Sequence, residues 1–220
     1  MGLDLYFMDK SSPARAALLL IKTLGLDVNV KSLDLFGGEH LQEDFVAINP
    51  QHTIPTLVDG KFVIWESRAI MTYLVNKYGK DTSLYPTDPE ERAVVDQRLY
   101  FDMGTLYDNF GKCVYPIIFG GAKEVDEAAL TKTKQALTWL EGFIGDRGFV
   151  AGSSLTVADI ALGVTVSTLE ASGILDLSAY PVVSAWLNKL KTTLPGYAEA
   201  NQPGAEAFGV MFKEALARKS

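Results

Sequence analysis

The sequence predicts a mixed α/β unit over about the first eighty residues and an all-helical unit over the rest. Three observations carry this. Strand-like and helix-like stretches alternate up to about residue 80, strand signals cease after about residue 65, and a proline-bearing break at Leu84-Tyr85-Pro86 separates the two patterns. Such alternation builds a sheet with helices laid against it. A chain of 220 residues has room for two modest units with useful cores. The boundaries read as 1–80, a linker over 81–87, and 88–220.

Each element has a local reason. Leu3 to Met8 is short, apolar and aromatic, and reads as a strand. Pro13 suits the first turn of a helix, with Ser11 or Ser12 as its cap, apolar residues from Ala16 to Leu24, and Gly25 as the stop. Val28, Val30 and Leu33 suggest a second strand, Gly37-Gly38 a turn, and Leu41 to Ile48 a short helix ended by Asn49-Pro50. Thr56 to Val58 and Phe62 to Ile64 flank Asp59-Gly60, the pair that supplies a tight hairpin turn. Ile70, Leu74 and Tyr78 share one face of a helix over Glu66 to Tyr78, which Gly79 would stop. The hairpin makes one strand pair antiparallel on a partly parallel sheet.

Beyond the break, Asp88-Pro89-Glu90-Glu91 places a cap, a proline and two acids where a helix start favours them. Leu99, Met103, Leu106, Tyr107 and Phe110 then form one apolar stripe. Val125 to Ile144 repeats the helical period. Thr156-Val157-Ala158-Asp159 resembles a capping box opening a helix to about Glu170. Pro181 opens another, with Val183, Trp186, Leu187 and Leu190 on one face and Pro195-Gly196 at its close.

Composition excludes several function classes. The net charge is −7 with no cluster of Lys and Arg, so a nucleic-acid partner is not expected. The longest apolar runs, such as Ala16 to Ile21, are too short to cross a bilayer. The start Met1-Gly2-Leu3-Asp4 lacks a basic stretch, so a secretory signal is not expected, and Tyr6 breaks a myristoylation motif. Cys113 is the single cysteine, which rules out an intrachain disulfide and favours a reducing, cytoplasmic setting. With only His40 and His52 beside it, no metal ligand set is recognisable.

Three stretches carry candidate chemistry. Ser11-Ser12-Pro13-Ala14-Arg15 stands where the first strand hands over to a helix, a place whose free N–H groups and dipole favour an anion. Taken alone, the serine reads first as a helix cap. In Asn49-Pro50-Gln51-His52-Thr53-Ile54-Pro55-Thr56, a cis Ile54–Pro55 bond would turn the backbone of Ile54 outward to pair with an extended peptide, while an ordinary trans proline would not. In Glu66-Ser67-Arg68, Ser67 can donate to a carboxylate and Glu66 can accept from an ammonium, the two charges of an amino-acid head group. The same residues also serve as a cap and first-turn acid.

Taken together and in order, these signals resemble the cytosolic glutathione S-transferases. Ser11-x-Pro13-x-Arg15, Gly38-Glu39-His40, Asn49 to Pro55, Trp65-Glu66-Ser67-Arg68-Ala69-Ile70, Lys77-Tyr78-Gly79 and Arg98 to Tyr107 look like the insect delta and epsilon classes, over nearly the whole chain. Ala14 and Asp9-Lys10 depart from the commoner pattern, which leaves an unclassified relative of those classes open. The resemblance implies a thioredoxin-like domain followed by an all-α domain, a homodimer, and conjugation of reduced glutathione to small hydrophobic electrophiles, with no permanently bound cofactor. It implies that Ser11, rather than Ser12, donates to the glutathione sulfur. His40 and His52 would lie near the glycyl carboxylate, Ile54 would pair with the cysteinyl backbone ahead of cis Pro55, and Glu66, Ser67, Arg68 and Asp102 would hold the γ-glutamyl group. The hydrophobic pocket would draw on Met103, Tyr107, Phe110, Tyr115, Ile118, Phe119 and Phe208, residue types that any helical core also contains. The competing expectation is a protein of the same fold that binds hydrophobic ligands without efficient catalysis. A redox transferase would need a cysteine where this chain has Ser11.

Overall fold

A computed structural model describes residues 2–218. The strand β1 (Leu3–Phe7) leads into helix α1 (Ser12–Thr23), and β2 (Val28–Ser32) returns beside β1. A 3-10 turn over Glu39–Leu41 precedes α2 (Glu43–Ile48), so the single short helix expected from Leu41 is in fact a turn and a helix. The hairpin β3 (Thr56–Asp59) and β4 (Phe62–Trp65) then feeds α3 (Ser67–Tyr78). The sheet order is β2-β1-β3-β4, with β1 parallel to β2 and the remaining pairs antiparallel. Alternation sets its faces: Leu3, Leu5 and Phe7 of β1 are buried, as is Leu57 of β3.

Gly79 stops α3 for a reason other than the left-handed turn that glycine usually supplies. Its backbone is extended, with φ −61°, and a Cβ there would lie 2.5 Å from the carbonyl oxygen of Val75. Asp59 gathers the hairpin onto α3. One oxygen of its carboxylate accepts from Tyr73 at 2.7 Å and from Lys77 and Tyr78 at 2.6 Å each. Burial alone would raise this carboxyl, but the three donors outweigh it and hold the pKa at about 2.

The helical part comprises α4 (Pro89–Phe101), α5 (Asp108–Ile118), α6 (Glu127–Ile144), α7 (Val157–Ser172), α8 (Pro181–Thr193), α9 (Tyr197–Ala200) and α10 (Gln202–Ala217). Asp88 caps α4 by accepting from the N–H groups of Glu90 and Glu91. Between α4 and α5 the chain winds as a π-helix over Asp102–Tyr107, a wider turn that shifts the phase of every side chain after it. The expected stripe of Leu99, Met103 and Leu106 is therefore broken: Leu99 and Leu106 are buried, whereas Met103 is 41% exposed.

Helix α7 is apolar nearly all round and forms the centre of this part, packed against α1, α4, α8 and α10. Gly209 permits α10 to lie close, since a Cβ there would meet the carbonyl oxygen of Ala171 at 2.2 Å. A buried polar joint ties α1 to the helices. The Arg15 guanidinium donates to Thr168 Oγ1 at 2.6 Å and to the backbone and side-chain oxygens of Asn201 at 2.9 and 2.7 Å. Burial pushes the Arg15 pKa down to about 10. Among the described residues no carboxylate forms an ion pair with this charge. Three bonds to neutral oxygens answer its two terminal nitrogens, while its buried Nε has no partner among the described residues, a demanding way to bury a cation.

Candidate active site

The exit of β1, the loop before β3 and the inner faces of α5 and α10 enclose a cavity of about 330 Å³. Ser11 lies on its floor. The serine is the N-cap of α1: its Oγ accepts from the Ala14 N–H at 3.3 Å, and no acidic residue occupies the first turn. The Oγ–H hydrogen is not used in that bond, so the hydroxyl can still donate. Ser12 is buried and does not line the cavity. The two adjacent serines thus face different surroundings, and it is Ser11 that lines the cavity.

His40, His52, Thr53 and Ile54 form a second wall. Asn49, fully buried, holds this loop in place. Its amide nitrogen donates to the Thr53 carbonyl at 3.0 Å and to Thr56 Oγ1 at 2.9 Å, while its carbonyl oxygen accepts from the Gln51 N–H at 2.9 Å. The Ile54–Pro55 peptide is cis. The two histidine rings are 6.1 Å apart, and Nδ1 of His40 is buried with no hydrogen-bond partner among the described residues. Among the described residues neither histidine is hydrogen-bonded to Ser11, whose side chain takes part only in the bond from the Ala14 N–H.

Only two non-glycine residues among those described adopt positive φ, His52 at 45° and Glu66 at 68°. Both belong to the stretches singled out in the sequence. Backbone strain of this kind is held in place by surrounding structure and concentrates at functional sites. Glu66 immediately precedes α3, whose first residue Ser67 is buried and accepts from Arg68 Nη1 at 2.9 Å. Arg68 in turn donates through Nε to Asp102 at 3.1 Å. Asp102 is wholly buried, and its other oxygen has no partner among the described residues. The π-helix thus delivers a carboxylate to α3 and, five residues on, a phenol to the cavity.

Tyr107, Tyr115, Phe119 and Phe208 supply the apolar side of the cavity. Tyr115 is the hub, with ring centroids 5.9 Å from Phe119 and 6.4 Å from Phe208 and Tyr107. Phe119 also meets the exposed Phe36 at 5.9 Å. Three expected pocket residues stand elsewhere. Phe110 is buried in the core behind Phe208, and Ile118 packs against that core without lining the cavity. Met103 lines two neighbouring hollows, one with Tyr107 and Tyr115 and one with Glu66 and Arg68. Met8, Lys10, Leu35, Thr53 and Met211 line the cavity and were absent from the expected set. Met211 was within reach of pattern reading: Pro203 opens α10, and Ala205, Phe208 and Phe212 trace its buried face.

A sheet domain whose first helix begins under a cleft, followed by a helical domain that walls the cleft with aromatics, defines the glutathione transferase fold. The comparisons agree. The family model for the glutathione S-transferase N-terminal domain matches residues 1–76, and that for the C-terminal domain matches residues 122–189. A delta-class glutathione transferase of Nilaparvata lugens is 52% identical, with 97% of this chain and 99% of that one covered and a TM-score of 0.93. An epsilon-class enzyme of the housefly Musca domestica is 42% identical, with 97% and 98% covered and a TM-score of 0.91. A glutathione transferase homologue of Drosophila mojavensis, solved with bound glutathione, is 40% identical, with 97% of each chain covered and a TM-score of 0.90. The chain belongs to the glutathione S-transferase family, among relatives of the insect delta and epsilon classes.

Proposed function

We propose that the protein conjugates the thiolate of reduced glutathione to small hydrophobic electrophiles, with the Ser11 hydroxyl holding the sulfur anion. The observation that carries this is the state of Ser11: it lines the cavity, caps α1 with a lone pair, and keeps its hydrogen for another acceptor. A free thiol has a pKa of about 8.5, so becoming mostly thiolate at neutral pH takes about two units, or ~2.7 kcal/mol. A hydrogen bond to a charged acceptor contributes about 1.5–3 kcal/mol. A helix N-terminus adds about 0.3–1 kcal/mol. One hydroxyl at the start of α1 is therefore sufficient, and no base is needed to deprotonate the serine. Proximity within one cleft does the rest.

The remaining roles follow the same reading. Unit 1–80 holds the tripeptide: His40 and His52 at the glycyl end, Ile54 and Pro55 along the middle, and Glu66, Ser67 and Arg68 with Asp102 at the γ-glutamyl end. Unit 88–220, joined by the linker 81–87, supplies the electrophile wall through Tyr107, Tyr115, Phe119 and Phe208. The protein needs no permanently bound cofactor, since glutathione is a co-substrate. We take it to act as a cytoplasmic homodimer. The exposed Tyr100 and Met103, which line a hollow of about 540 Å³ beside Glu66 and Arg68, support a partner at that face. Light scattering tests the dimer.

Retention on immobilised glutathione, followed by assay of the eluate with chlorodinitrobenzene, tests the activity. Retention with turnover is expected. Retention without turnover would make the protein a ligand binder of the same fold. A pKa of bound glutathione unchanged by Ser11→Ala would refute the role of the hydroxyl.

A further inference from the structure

Two phenylalanines stay in solvent at the edge of the cavity. Phe36 is 59% exposed and Phe119 62%, and their ring centroids are 5.9 Å apart. They come from different units: Phe36 from the loop between β2 and the 3-10 turn, Phe119 from the residue that ends α5. Phe119 lines the cavity, and so does Leu35, the neighbour of Phe36, so the pair forms an outer lip. The two rings continue a row that begins inside. Tyr115 lies 5.9 Å from Phe119 with 30° between the ring planes, and Phe119 meets Phe36 with 36° between theirs. Such tilts are closer to stacked than to edge-on, so the three rings make a stepped shelf from the cavity to solvent.

The loop keeps its shape without the Phe36 ring. The Asp34 N–H donates to Glu39 Oε2 at 2.7 Å, Asp34 Oδ1 accepts from the Phe36 N–H at 3.0 Å, and the Asp34 carbonyl accepts from the Glu39 N–H at 3.0 Å. Gly37 lies against the same carboxylate, where a Cβ would come within 2.6 Å of Oδ2. A loop tied by its own polar groups thus holds a large apolar ring in water beside a cavity, and exposed apolar surface in such a place marks a binding site. The cavity itself is small. Its volume of about 330 Å³ is near the floor of the range that encloses a small ligand, roughly 300–1,000 Å³. Part of a tripeptide and the reacting carbon fill it, so a second ring on the electrophile has to leave through the mouth.

We infer that Phe36 and Phe119 form an outer subsite for the distal ring of an extended, two-ring electrophile, so that the protein selects such compounds over single-ring ones with the same reacting group. The inference rests on the thiolate reading above and names the shape of electrophile that the site favours. Phe36 touches only the far ring and takes no part in the bond changes.

The test compares 4-phenylbenzyl chloride with benzyl chloride, which differ only by the distal ring. In both, the sulfur lone pair forms the S–C bond, the C–Cl bond breaks, and chloride leaves with the electron pair. The readout is the ratio of the two kcat/KM values, each taken relative to the uncatalysed reaction with glutathione. Wild-type protein is expected to favour the two-ring compound. An aromatic pair contributes about two- to tenfold beyond the area it buries, so Phe36→Ala should lower the ratio at least about fivefold. Phe36→Leu, which keeps the apolar bulk and loses the flat face, should lower it less, and Phe36→Trp should hold it. The KM for glutathione and the urea midpoint should not move. A ratio that falls only together with a raised KM for glutathione makes Phe36 a support for the loop that carries Leu35 and His40, and overturns the subsite. A ratio held within about twofold in Phe36→Ala overturns it too. So does a wild-type protein with no preference between the two chlorides, a result that leaves the thiolate reading intact. Turnover of neither chloride removes both.

Discussion

Helices α1 and α7 both start on a hydroxyl residue, and the two starts are built for opposite ends. At α7, Thr156 and Asp159 close a complete capping box: the Thr156 N–H and hydroxyl donate to Asp159 at 2.9 and 3.0 Å. The other Asp159 oxygen accepts from the Val150 N–H at 2.9 Å and from Trp186 Nε1 at 3.0 Å. Both residues are buried. At α1, Ser11 makes one long contact to Ala14, no acid follows in the first turn, and the hydroxyl borders a cavity. A helix start satisfied from within the protein contributes stability. One left partly unsatisfied retains its N–H groups and dipole for a ligand.

Exchanging the two functions experimentally sharpens the contrast. Asp159→Ala strands several buried donors and is expected to cost about 3–5 kcal/mol. Thermal unfolding should report a fall of roughly 10 °C, while turnover per folded molecule stays near that of the parent. Ser11→Ala should do the reverse. It removes about 1 kcal/mol of cap energy in urea unfolding, yet it should lower kcat on the order of 100-fold, the kinetic equivalent of ~2.7 kcal/mol. Equal losses of stability in the two variants would end the distinction.

Asp59 offers a smaller check within the sheet domain. Its folded pKa of about 2 lies below the ordinary carboxyl value of 3.8. Its ionisation therefore stabilises the fold above a pH of about 4, and the contribution fades as pH falls through about 2. Urea midpoints should drop across that window, and Asp59→Asn should flatten the drop. Lys10 gives the smallest expected effect. It is half-buried on the cavity wall and partly screened by Asp9, 3.5 Å from its Nζ. Lys10→Gln should raise the pKa of bound glutathione by less than about half a unit, read by ultraviolet titration of the thiolate.

Local chemistry made most of the fold legible. The strand–serine–proline handover, the Asp-Gly hairpin and the Thr156 box each involve residues within a few positions of one another, so sequence spacing encodes them directly. Site residues on those elements, Ser11, His40, His52 and Ile54, meet at one cavity. What escaped depends on phase or distance. The π-turn at Asp102–Tyr107 inserts a shift that an α-helical stripe cannot anticipate, and it moved Met103 off the cavity. Phe110 and Phe208 share one aromatic contact, yet only Phe208 reaches the cavity, and residue type alone cannot separate the two. Arg15 reads as one letter of a motif. Its burial is settled by Asn201, 186 positions away.

That last contact makes the chain indivisible. The guanidinium of helix α1 finds its oxygens on the far side of the seam, so a fragment ending before residue 201 would leave a cation in a greasy socket with two of its three bonds gone. The arginine works as a rivet: the floor of the cavity is set at its proper height only when the last stretch of chain has been laid down.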